Sequence, residues 1–89
     1  MTRIYRKHPL TAGRVLDGIA FVVTADDYKM HTLNGSGTLL WSMCVDGITV
    51  EQAAKELVST YEVDLETARQ DVTECLESFV AQGLMQADG

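Results

Sequence analysis

The sequence predicts an α+β domain in which a three-stranded antiparallel sheet is followed by three helices. Three observations carry that prediction. From Arg14 to Leu33 the chain is rich in β-branched and apolar residues punctuated by turn signals. From Ser36 onward, apolar residues recur at spacings of three and four. The two patterns are not interleaved, and a run of strands followed by a run of helices gathers the helices on one side of the sheet.

The strands come first. "RVL" at 14–16 and "IAFVVT" at 19–24 flank Asp17-Gly18, a strong hairpin signal. "ADD" at 25–27 is a second turn, and "YKMHTL" at 28–33 completes the meander. Alternation groups Lys29, His31 and Leu33 on one face of that strand, an awkward core face. Three strands alone are marginal and need an element packed on one side.

The helices supply it. Asn34 or Ser36 caps the first, whose apolar positions are Leu39, Leu40, Met43 and Cys44, and Asp46-Gly47 stops it. Thr49 and Gln52 form a capping-box pattern ahead of Ala53, Ala54, Leu57 and Val58, and Tyr61 closes that helix. Asp64 caps a third helix running to about residue 82. Its stripe is Leu65, Ala68, Val72, Cys75, Leu76, Phe79 and Val80, and Gly83 is its left-handed stop. "LMQ" follows as a short return strand or a tail. The brief "YEVD" connection suits a helix-turn-helix, so the order resembles a winged-helix-turn-helix topology. Residues 1–13 read as a flexible basic lead-in, and the domain proper as 14–86.

Composition narrows the function. With 89 residues, 46% apolar and 22% charged, the chain suits one soluble domain with one modest core. No apolar run approaches the ~18–20 residues that span a bilayer, and the N-terminus lacks the apolar stretch of a signal peptide. The cytosol is the expected location, without a membrane partner. Net charge is −6. Arg3, Arg6, Lys7 and Arg14 crowd the start, whereas beyond Asp46 only Lys55 and Arg69 stand against many acids. That balance repels a phosphate backbone, so nucleic acid is not an expected partner. A neutral or basic peptide fits it better.

Catalytic patterns are missing from the sequence. It contains no nucleophile elbow, HExxH or phosphate-cradling P-loop, and Gly35 and Gly37 lack the βαβ context of a dinucleotide fingerprint. Cys44 and Cys75 form no CxxC pair and read as small core residues. No metal, cofactor or enzymatic activity is expected. What remains is backbone chemistry: a short sheet has open edges that accept a peptide as an added strand.

The order of Leu33-Asn34, Leu40-Trp41, Asp46-Gly47, Thr49-Val50, Leu57, Tyr61, Asp71-Val72, Leu76 and Gly83-Leu84 resembles the PqqD-like family, recognition elements for ribosomally made, modified peptides. The resemblance implies a winged-helix-like peptide chaperone without activity of its own. It binds the leader region of a precursor peptide and presents it to a modifying enzyme, such as a radical-SAM maturase or a leader peptidase. The leader adds beside Tyr28, Lys29, Met30, His31, Thr32 and Leu33. It lies against the helix side bearing Ala68, Arg69, Val72, Cys75, Leu76 and Phe79. The family often has an aromatic where Cys75 stands, which implies a differently shaped pocket. Two alternatives use the same elements: a winged-helix DNA-binding protein, opposed by the acidic helices, and a structural module that forms a homodimer through the same edge.

Overall fold

The computed structural model describes residues 3–24, 28–33, 35–44 and 46–88. Its elements are β1 (Ile4–Lys7), β2 (Thr11–Leu16), β3 (Ile19–Thr24), β4 (Met30–Leu33), α1 (Ser36–Met43), α2 (Val50–Thr60), α3 (Leu65–Ala81) and β5 (Met85–Asp88). The expected α+β order is present: β2, β3 and β4 form an antiparallel sheet in that order, followed by three helices. A second sheet pairs β1 with β5.

That second sheet corrects the reading of residues 1–13 as a lead-in. Ile4 to Lys7 pair antiparallel with Asp88 to Met85. Tyr5 also exchanges backbone hydrogen bonds of 2.8 and 2.9 Å with Ile48. Its ring is fully buried, and its hydroxyl donates to the Glu77 carboxylate. Burial, more than the Glu77 contact, raises the Tyr5 pKa above its usual value. The basic charges are likewise engaged: Arg3 with Glu77 at 2.8 Å, Arg6 with Asp88 at 3.3 Å, and Lys7 4.8 Å from the Trp41 ring centre.

In the larger sheet, Asp17 and Gly18 both have positive φ, as a two-residue primed hairpin turn requires. β2 starts three residues earlier than expected, at Thr11. β4 starts later, at Met30, because Tyr28 takes a left-handed φ of 57°. Tyr28 N–H and the Lys29 carbonyl both bond Thr24, so two residues oppose one in a bulge whose first position normally suits glycine. The Tyr28 ring is 85% exposed and contributes no packing against that strain. Tyr28→Gly is therefore expected to raise stability by up to about 1 kcal/mol, read from the urea midpoint; a loss would show that the ring holds the bulge in place.

Ala20, Val22 and Thr24 turn one face of β3 onto the helices. The Thr38 hydroxyl ties α1 to the sheet: it accepts from Ala20 N–H (3.2 Å) and donates to the Leu33 carbonyl (2.8 Å). Gly35 occupies the N-cap of α1 without a side-chain cap, Ser36 is its first helical residue, and Asn34 lies outside the described residues. The Thr49–Gln52 capping box forms in both directions. Asp64 sits at the N-cap of α3 but makes no side-chain cap bond. Gly83, at φ 78°, lets Gly83 N–H reach Val80 and Leu84 N–H reach Phe79, closing α3 and turning the chain into β5. Val58, expected on the α2 stripe, is exposed.

The core lies between the sheets and the helices, around Trp41, Leu40, Val72, Leu76, Leu84 and Met85. Both cysteines are free thiols. Cys44 is fully buried, its thiol donating to the Leu40 carbonyl, and burial pushes its pKa up to about 12. Among the described residues, no helix is long and apolar enough to cross a membrane, and no acidic, His and Cys cluster could hold a metal ion.

Candidate peptide-binding site

Among the described residues, β4 is an end strand of its sheet, with β3 on one side only. Two contacts show which backbone groups face β3. The Lys29 carbonyl accepts from Thr24 N–H, and the Leu33 carbonyl is bridged to Ala20 N–H by the Thr38 hydroxyl. Antiparallel pairing alternates, so residues 29, 31 and 33 direct their main-chain groups to β3, in register with Thr24, Val22 and Ala20. Met30 and Thr32 direct theirs to the open edge.

The side chains alternate on the other axis. His31 and Leu33 are half-buried on the helix side, opposite the buried Val22 and Ala20, which settles the face left awkward by the sequence. Among the described residues, His31 Nε2 is buried without a hydrogen-bond partner. Met30 (66% exposed) and Thr32 lie on the outer face with Val23 and Phe21. Tyr28 and Lys29 precede the strand, in the bulge.

The α3 residues divide three ways. Ala68, Val72, Leu76 and Phe79 are buried and form the floor of the core, Ala68 where that floor meets the cavity described below. Cys75 is half-buried, and its thiol pKa is raised by burial. Arg69 turns to α2, where its guanidinium holds the Glu51 carboxylate at 2.5 and 3.2 Å. That hydrogen bond holds the Glu51 carboxyl below its usual range. Both side chains are exposed, so the pair contributes little to stability.

A cavity of about 250 Å³ opens where β4 ends. Gly35 and Ser36 form one wall, Leu57 of α2 and Tyr61 at its C-cap a second, and Ala68 and Asp71 of α3 the third. Of these, only Ala68 was among the expected site residues. Leu57, Tyr61 and Asp71 stood in the sequence pattern, but as a helix stripe, a helix end and a member of the motif order, not as neighbours. Their convergence depends on how α2 and α3 pack.

The sequence from residue 20 to residue 85 matches the family described as coenzyme PQQ synthesis protein D (PqqD). The chain belongs to the PqqD family. Two solved structures share the PqqD-family fold seen here. One, described as TbiB1 in complex with the TbiA(beta) leader peptide, is 17% identical with a TM-score of 0.85 over 91% of this chain and 94% of that one. The other, described as lasso peptide synthetase B1 complexed with the leader peptide, is 22% identical with a TM-score of 0.82 over 92% and 96%. No curated protein matches the chain.

Proposed function

We propose that this PqqD-family chain is a non-catalytic chaperone that captures the leader region of a ribosomally made precursor peptide and presents it to a modifying enzyme, such as a radical-SAM maturase or a leader peptidase. The observation that carries this reading is the open edge of β4. Met30 and Thr32 offer outward N–H and C=O groups there, and the cavity bounded by α2 and α3 lies at the strand's end. Strand addition draws affinity from main-chain pairing and selectivity from side-chain pockets beside it. The family match and the leader-bound relatives support the same reading.

Charge supports it too. The exposed acids Glu66, Asp71 and Glu74 crowd α3, while Arg3 and Arg6 are held in ion pairs. That surface disfavours a phosphate backbone and favours a neutral or basic peptide. Titrating isotope-labelled protein with leader peptides from precursor genes beside its own tests the proposal. Amide shifts are expected to cluster at 30–33 and along α3. Saturable binding whose shifts avoid β4 sinks it.

A further inference from the structure

The cavity at the end of β4 has a chemical character beyond its position. Its volume, about 250 Å³, falls below the roughly 300–1,000 Å³ of a site for a whole small molecule. It has room for one large side chain. Leu57, Val63 and Ala68 make its interior apolar, and the half-open Tyr61 ring extends that surface outward. Asp71 is exposed at the rim, and among the described residues its carboxylate makes no ion pair or hydrogen bond. The neighbouring cation, Arg69, is committed to Glu51 on the opposite flank.

We infer that this cavity is the selectivity pocket of the peptide site, taking an apolar side chain of the bound strand that carries a Lys or Arg within two positions of it. The inference rests on strand addition at β4. Gly35 and Ser36 line the cavity just beyond Leu33, so a strand laid on the open edge delivers a side chain there as it passes the end of β4. Burying that apolar side chain excludes water, and the nearby cation meets the unpaired Asp71 carboxylate. Alternation along the strand leaves the intervening side chain on the outer face.

Selection of random peptides displayed on phage tests this on the full chain, using the native protein, Asp71→Lys and Ser36→Trp. Asp71 and Ser36 are both exposed, so neither substitution disturbs the core. Native winners should pair an apolar residue with a nearby Lys or Arg. Changing the apolar residue to Ser should weaken binding by about tenfold or more. Changing the cation to Glu should cost about two- to fivefold, and less at high salt. Asp71→Lys should shift the winners towards acidic neighbours, and Ser36→Trp should erase the apolar preference. Identical winners from all three proteins overturn the pocket. If those winners still shift the amides of 30–33, the edge reading survives alone; if they bind elsewhere, it falls separately. A selection that enriches nothing counts against both.

Discussion

Met30→Pro is expected to lower leader affinity by about tenfold to a hundredfold, through a lost hydrogen bond and an unpaired partner carbonyl worth roughly 1–3 kcal/mol together. The same change should move stability by no more than about 1 kcal/mol. The register separates these outcomes. The Lys29 carbonyl bonds Thr24 and the Leu33 carbonyl faces Ala20 through Thr38, so Met30 N–H lies on the side away from β3. Proline is tolerated at the first residue of an edge strand whose N–H faces outward. Its ring then stands where an incoming strand would pair. His31→Pro is the control: it removes a main-chain bond towards Val22 and should cost about 1–3 kcal/mol of stability, visible as a lower urea midpoint. Undiminished affinity in a folded Met30→Pro protein would move the docking strand elsewhere.

Trp41→Ala is expected to destabilise the domain by about 3–5 kcal/mol. A domain of this length has only ~4–13 kcal/mol to lose. The ring is 2% exposed and lies at the meeting point of both sheets and the helices. Lys7 of β1 covers it at 4.8 Å. On the other side Gly13 of β2 comes so close that an added Cβ would lie 3.2 Å from Trp41 Cζ2 and Nε1, and 3.3 Å from Val22 Cγ2. Small neighbours fitted this tightly cannot expand to fill a missing indole, so most of the cavity persists. Thermal unfolding should show a drop of roughly 12–30 °C. Leader binding measured well below that midpoint should survive, because Trp41 does not line the cavity and is not part of β4. Lost binding at unchanged stability would instead place Trp41 in the site.

The open edge and the family were legible in the residues. "YKMHTL" followed by a helical repeat announces a last strand, and the motif order from Leu33 to Leu84 carried the resemblance that the family match then established. The α3 positions were only half legible. Apolar periodicity marks Ala68, Val72, Leu76 and Phe79 as facing inward, but it does not distinguish a core floor from a groove wall, since both are apolar. The resemblance put Arg69 beside Ala68 on the groove side of α3; a step of 100° around the helix turns it towards Glu51, a pairing that no spacing within α3 announces.

The sequence by itself determined what depends on near neighbours: the Asp17-Gly18 turn, the Thr49–Gln52 cap, the Gly83 stop and the β-before-α order. These follow from backbone sterics and hydrogen bonds spanning a few residues. Only the tertiary structure decided what depends on residues far apart in the chain. β1 exists because residues 85–88 return to pair with it, and no local signal in a basic N-terminal stretch announces so distant a partner. The orientation of β4 required the Thr24 and Thr38 contacts, and the cavity required three helices to converge on Gly35 and Asp71. Local rules set which elements form; packing between distant segments sets which edge stays open and what stands beside it.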